Sequence, residues 1–263
     1  MKEYNDIEVN VTNGIATIWL NRPDVQNAVS NTMLEELIDC VLHIDQLDNV
    51  RAIVLRGRGK SFSAGADLKM MQAASTAGFD KNLEDGFRWA NCLATLNNST
   101  KPLIGIATGN VFGGGNGLLG ACDLVIADSD AVFSFSEVKL GLAPSTILPC
   151  ILARIGEQKS KYLMFTGKRF TAADAYEYGL VDFLVNSSEI VETLNNLTSD
   201  ILKASPGGIN EIKMLIRTLK STNCYDNIKD LTANSIARLK ISDEAQEGLA
   251  AFIEKRKPSW VSE

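Results

Sequence analysis

The sequence holds one histidine, His43, in 263 residues. A Ser-His-Asp triad or an imidazole-rich metal site would have to run through that single side chain. It lies inside the apolar periodicity of LEELIDCVLHIDQL, where a histidine serves packing or surface, so no metal site is expected. Cysteine is equally uninformative as chemistry. The five thiols (Cys40, Cys92, Cys122, Cys150, Cys224) are odd in number, scattered and without a C-x-x-C pair, which argues against a disulfide framework and reads as buried, reduced thiols. Positive charge is short: 26 Lys and Arg against 32 Asp and Glu leave a net charge of −6, the wrong sign for neutralising a nucleic-acid backbone. No run reaches the roughly 18 apolar residues of a membrane span. The opening MKEYNDIEV carries neither an apolar leader core nor an Arg-rich amphipathic face. A cytoplasmic protein with no nucleic-acid and no membrane partner is expected.

What is present is a patterned α/β chain. IEVNV and IATIWL alternate around Thr12-Asn13-Gly14 as a hairpin, and Ser30 or Asn31 can cap a helix whose Met33, Leu34, Leu37, Ile38, Val41 and Leu42 share a face. VRAIVLRG, PLIGIATG, LVIAD, AVFSFSEV and LVDFLV read as further strands. A helix near Leu83 to Leu96 would present Phe87, Ala90 and Leu93, and Thr171 with Asp174 forms a capping-box signature closed by Gly179. Helices over Ser188–Ala204, Gly207–Leu219 and Tyr225–Lys255 finish the chain. Strands are concentrated before residue 140 and helices after it, so an α/β core over 1–200 and a helical region over 201–263 are expected.

Glycine is concentrated in FGGGNGLLGACD, which places five of the chain's 20 glycines in twelve residues. Gly115, Gly117 and Gly120 spell G-x-G-x-x-G, but a dinucleotide fingerprint needs a full crossover helix before the next strand, and only Asn116 to Cys122 precede LVIAD. Bare backbone here serves either close packing or amides offered to negative charge. A second small-residue turn, Ser63-Ala-Gly-Ala-Asp-Leu-Lys69, follows another strand. One amide from each turn on a single carbonyl oxygen would stabilise an enolate, and one such donor is worth about 3 kcal/mol in a transition state.

FSAGADLKMM, GNVFGGGNGLLGACDLVIADSDAVFSFSEVKLGLAP, TGKRFTAADAYEYGLVDFLV and AFIEKRKPSW together resemble the crotonase, or enoyl-CoA hydratase/isomerase, superfamily over nearly the whole chain. The resemblance implies a spiral of β-β-α repeats with C-terminal helices for trimerisation, as a homotrimer or dimer of trimers. It implies an acyl-CoA substrate, coenzyme A being part of that substrate and no further cofactor being needed. The thioester oxygen falls to the amides of Ala66 and Gly114. Val25, Gln26, Asn27, Ala64, Asp67, Leu68, Lys69 and Gly113 border the CoA site, and Lys255 and Lys257 in the basic run 255–257 approach the CoA phosphates.

Hydratases of this superfamily use two glutamates. The second falls on Glu137, whereas the first falls on Gly117. Desolvation in a thioester pocket raises a carboxyl group toward the working pH, so Glu137 suits a proton carrier at the α-carbon. Three outcomes remain open: a one-glutamate hydratase, a Δ3,Δ2-enoyl-CoA isomerase needing one base, or a non-catalytic acyl-CoA-binding oligomer; a short-chain enoyl-CoA hydratase is a variant of the first. The local pattern resembles bacterial 3-methylglutaconyl-CoA hydratases of leucine and isovalerate breakdown and relatives acting on carboxygeranoyl-CoA, which favours the hydratase. Lys69, Arg88 and Lys139 are candidates, by type alone, for a distal carboxylate on the acyl chain.

Overall fold

The computed structural model describes residues 2–220 and 224–261. Two compact units divide the chain, Met1–Asn195 and Asn196–Glu263.

In the first unit the hairpin of β1 (Ile7–Thr12) and β2 (Ile15–Leu20) turns at Asn13 and Gly14, both at positive φ (51° and 77°). Left-handed backbone at both central residues is what a two-residue hairpin turn requires, and Asn-Gly supplies it. Helix α1 (Asn31–Asp45) is capped by the Ser30 hydroxyl, which accepts the Met33 amide at 2.9 Å. Its buried face is Met33, Leu34, Leu37, Cys40, Val41 and Ile44; Leu42, expected on that face, is exposed because it lies a third of a turn away from the stripe.

Strand β3 (Ala52–Gly57) leads through the Ser63–Asp67 turn to α2 (Leu68–Ala74) and α3 (Gly78–Asn98). The face of α3 differs from the one expected. Trp89, Cys92, Leu93 and Leu96 are buried at i, i+3, i+4 and i+7, while Phe87 and Ala90 are exposed. After β4 (Leu103–Ala107) comes β5 (Asn110–Phe112), then α4 (Gly114–Gly120), β6 (Leu124–Asp128) and β7 (Val132–Ser134). The remainder of the unit holds α5 (Leu148–Thr166), β8 (Arg169–Thr171), α6 (Ala172–Tyr178) and β9 (Phe183–Val185). Strands β5 and β8 carry three residues each, too few for an alternation to show in the sequence. The capping box forms at Thr171 and Asp174, and Gly179 ends α6 at φ 86°.

Strands β1-β2-β3-β4-β6-β9 make a six-stranded sheet, parallel from β2 onward. The order β5-β7-β8 makes a smaller one. Phe133 and Phe135, fully buried, both stack on Phe170 at 5.5 and 5.8 Å between ring centroids. Burial of each such ring contributes roughly 2 to 3 kcal/mol, which anchors the chain immediately before Glu137. Helix α7 (Ile190–Lys203) crosses the division between units. The second unit holds α8 (Pro206–Lys220), α9 (Tyr225–Lys240) and α10 (Asp243–Glu254). The single helix expected over Tyr225–Lys255 is therefore two: Ser242 accepts the Ala245 amide and starts a new helix there. The expectation of buried thiols is met by Cys40, Cys92 and Cys122 and not by Cys224, which is exposed.

Candidate active site

Backbone accounting defines the centre of the site. In the turn after β3, the amide of Ser63 donates to Asn110 O (3.1 Å), Ala64 to Gln26 O (2.8 Å), Gly65 to Ser63 Oγ (3.2 Å) and Asp67 to Val29 O (3.1 Å). Ala66 pairs with Val29 in an isolated parallel bridge, yet its own amide has no acceptor among the described residues. Gly65 sits at φ +94°, and a Cβ there would stand 2.8 Å from Phe112 O and 3.5 Å from the Gly114 nitrogen. Glycine is required, and its bareness brings the turn against the glycine triplet.

On that triplet, Gly113 adopts φ 47° and donates to Ser134 O at 3.0 Å. Gly114, the first residue of α4, has no acceptor for its amide among the described residues. A Cβ on Gly114 would lie 2.3 Å from Cη2 of Trp89, so the indole packs directly on the glycine's Cα. Two amides without an acceptor among the described residues therefore lie on turns packed against each other, and paired donors of this kind can stabilise developing negative charge without reorganising.

Glu137 follows β7 at the start of a short 3-10 turn, Glu137–Leu140. Its carboxylate reaches the same place: a Cβ on Gly113 would be 3.1 Å from Glu137 Oε1. The other oxygen, Oε2, is buried and without a hydrogen-bond partner among the described residues. Burial pushes the Glu137 carboxyl above its ordinary range, opposed only in part by its own backbone amide. At Gly117, where a second carboxylate would belong, the space is full. A Cβ would meet Ile147 Cγ2 at 2.3 Å and Ile147 Cβ at 2.8 Å, with Leu93 Cδ1 at 3.6 Å.

The flanking residues come together at the rim. Gln26 and Asn27 both adopt positive φ (51° and 53°) after a 3-10 turn Pro23–Val25, of which Val25 is exposed. The fully buried Asn27 side chain secures this shape: its Oδ1 accepts the Arg22 amide (2.9 Å), and its Nδ2 donates to Arg58 O and Ser61 O (2.8 Å each). Gln26 O receives Ala64, joining two of the expected CoA-contact segments. Asp67 is buried, caps α2 by accepting the Lys69 amide (2.8 Å) and meets Arg22 Nη1 at 2.8 Å. Burial disfavours its charge, but the Arg22 hydrogen bond, the Lys69 amide and the Arg22 charge outweigh that and hold the carboxyl below its usual range. Leu68 opens α2, and Lys69 is exposed.

Among the candidates for a distal carboxylate, Arg88 is engaged with Glu35 (3.1 Å), Glu84 and Asp85 (2.6 Å), and Lys139 is exposed. Lys255 and Lys257 lie in the second unit, both exposed. Arg256 between them is held by Glu247 through two bonds, 2.6 and 2.8 Å. That pairing, first through the Arg256 hydrogen bond and then the Ser259 amide, draws the Glu247 carboxyl down to about 2. No group of three or more His, Cys, Asp or Glu that could hold a metal ion occurs among the described residues. No described helix is long and apolar enough to cross a membrane.

Trp89, Ile147 and Arg22 were not singled out from the sequence. Trp89 was legible in principle, since Trp89, Cys92, Leu93 and Leu96 form a better helical stripe than the one containing Phe87. Ile147 lies in GLAPSTILP, where glycine and proline conceal any periodicity.

Residues 10–263 match the enoyl-CoA hydratase/isomerase family. An enoyl-CoA hydratase from Shewanella pealeana superposes with a TM-score of 0.95 at 33% identity, covering 98% of this chain and 97% of that one. Pseudomonas aeruginosa AtuE superposes with a TM-score of 0.94 at 30% identity, covering 98% and 100%. A hydroxycinnamoyl-CoA hydratase-lyase of Pseudomonas fluorescens is 33% identical over 208 residues, 77% of this chain and 75% of its own length. With the paired turns, the sheet order and the matched span all in agreement, the chain belongs to the enoyl-CoA hydratase/isomerase family and has the crotonase fold.

Proposed function

We propose that this protein is an acyl-CoA hydratase that adds water reversibly across a 2-enoyl-CoA double bond, with 3-methylglutaconyl-CoA of leucine and isovalerate breakdown as its substrate. The observation that carries the reading is the Glu137 carboxylate, whose Oε1 lies against Gly113 and whose buried Oε2 has no partner among the described residues, together with the amides of Ala66 and Gly114 that have no acceptor there. The amides bind the thioester oxygen and hold the enolate charge that develops as the water oxygen bonds to C3. Glu137 takes the proton that this water gives up and returns a proton to C2, so one carboxylate serves both transfers and the enzyme ends as it began. Each amide contributes about 100-fold or more in kcat by analogy with other oxyanion donors. Val25–Asn27, Ala64 and Asp67–Lys69 border the CoA moiety. The exposed Phe252 and Ile253 of α10 suit the helical region to homotrimer contacts.

Glu137→Gln tests this: hydration of 3-methylglutaconyl-CoA falls at least 1000-fold while CoA affinity persists, and retained turnover removes Glu137 from the mechanism. The filled space at Gly117 favours a second reading, a Δ3,Δ2-enoyl-CoA isomerase using the same single base. Solvent deuterium entering the α-carbon of a panel of acyl-CoA thioesters, read together with the product formed, decides between them. Conversion of a 3-enoyl to a 2-enoyl thioester without a hydrated product identifies the isomerase, and no incorporation in any member identifies a non-catalytic acyl-CoA-binding oligomer.

A further inference from the structure

The turn that carries the Ala66 amide is braced on both sides by groups that make none of the bond changes of the proposed reaction. On the N-terminal side the Ser63 hydroxyl donates to Asn27 O (2.8 Å) and accepts the Gly65 amide. On the C-terminal side the turn is tied down through Asp67. Arg22 Nη1 reaches Asp67 Oδ2 at 2.8 Å and Ala28 O at 2.6 Å, and Arg22 Nε faces Asp6 Oδ1 at 3.6 Å. Asp6 in turn accepts the hydroxyl of Ser30, the cap of α1. One guanidinium therefore joins the start of β1, the head of α1, the chain at Ala28 and the residue after Ala66. The side chains of Arg22, Asp6 and Asp67 are only 23%, 19% and 10% exposed, so water competes poorly for these contacts.

We propose that Arg22 is a positioning residue for the reaction: through Asp67 it fixes the direction of the Ala66 N–H toward the thioester oxygen. The proposal rests on the reading of Ala66 as an oxyanion donor. Arginine suits the task because its planar fork holds a carboxylate and a carbonyl at once, which a lysine ammonium does not reproduce with the same geometry. When Arg22 is lost, Asp67 keeps its helix-capping bond to Lys69 but no cation, and the turn relaxes by tilting the peptide between Gly65 and Ala66. Misplacement of a catalytic donor by about 1 Å costs on the order of 100-fold in rate.

The test compares the parent protein with Arg22→Met, Arg22→Lys and Asp67→Asn. Two readouts are taken: the kcat and KM of α-carbon deuterium exchange, and the isotope-edited infrared band of a 2-enoyl-CoA carrying ¹³C at the thioester carbonyl, bound in the Glu137→Gln background. Two amide donors pull that band to lower frequency than in free thioester. The expected result is a kcat reduced about 10- to 100-fold in Arg22→Met with KM within about threefold, a bound band moved back toward the free value, and partial recovery of both in Arg22→Lys. Melting temperatures reduced with kcat and band position unchanged overturn the positioning role, leaving Arg22 a stabilising residue alone. If Arg22→Met does not fold, the same split is read from Arg22→Lys and Asp67→Asn. A parent protein whose bound band is unshifted overturns the assignment of Ala66 itself, and the proposal with it.

Discussion

Placing a methyl group on Gly117 tests whether the absent carboxylate is excluded by packing or merely missing. The new Cβ in Gly117→Ala stands 2.3 Å from Ile147 Cγ2 and 2.8 Å from Ile147 Cβ. Carbon atoms at rest sit about 3.5 to 4 Å apart, so a gap of more than about 1 Å must open. Rotating χ1 moves the Cγ2 of Ile147 but not its Cβ, and Ile147 is the N-cap of α5, followed by Leu148 and Pro149. Backbone of α5 must therefore shift, which falls in the upper part of the roughly 1 to 3 kcal/mol range for overpacking. Alanine recovers about 1 kcal/mol over glycine inside a helix, and the net expectation is a loss of about 1 to 2 kcal/mol. Thermal unfolding should show a fall of about 2 to 8 °C at this chain size. Ile147→Ala removes Cγ2, so the double variant Gly117→Ala/Ile147→Ala should be more stable than the sum of the single changes by at least ~1 kcal/mol. Gly117→Glu adds the burial of an unpaired carboxylate, costs several kcal/mol more and leaves hydration no faster. A Gly117→Ala variant as stable as the parent, or strict additivity with Ile147→Ala, would refute the argument that Ile147 occupies this space.

At the neighbouring position, Gly114→Ala drives a Cβ to 2.3 Å from the rigid indole of Trp89 and must displace the Gly114 amide; kcat falls about 100-fold with a smaller change in KM, and an unchanged kcat in steady-state assays removes that amide from the reaction. Glu137→Gln changes stability in the opposite sense to activity. Because burial raises the Glu137 carboxyl in the folded state, its stabilising contribution is complete below the unfolded value of about 4.3 and is lost as pH rises through the folded one. Glu137→Gln therefore melts above the parent at pH 8, with the gap closing toward pH 4, and a parent that melts higher at pH 8 contradicts the burial argument.

The elements that could be read from sequence were those whose signal is local. Asn13-Gly14 announced its own turn, and Thr171 with Asp174 announced a helix start, because both signals depend on chain atoms a few residues away. The buried face of α3 departs from the expected one because Phe87 is apolar yet exposed, while the stripe of Trp89, Cys92, Leu93 and Leu96 packs toward α1 and α4. The break at Ser242 leaves little mark in the sequence pattern because Ile241 keeps the apolar spacing going through it. Family likeness supplied Ala66, Gly114 and Glu137 as candidates, and the fold brings them together. Arg22 belongs to contacts 45 residues apart in sequence, and no spacing rule connects it to Asp67.

The three unpaired polar groups, two amides and one carboxylate oxygen, carry a mechanistic consequence together that none carries alone. An unsatisfied buried donor or acceptor costs about 1 to 3 kcal/mol, and the backbone amides on either side of Ala66 and the one before Gly114 are themselves paired. Ser63, Ala64, Gly65 and Asp67 all spend their amides on neighbours, and Gly113 does so on the other turn. Gly65 and Gly113, both at positive φ, bring the two turns and the carboxylate together, and in the proposed reaction the thioester oxygen would meet both amides where the turns approach. Ile147 and Leu93 then close the α4 side that a second acid would need. With that side apolar, the proposed hydration would leave the proton removed from water and the proton delivered to C2 one carrier between them, and both transfers would then depend on the protonation state of Glu137.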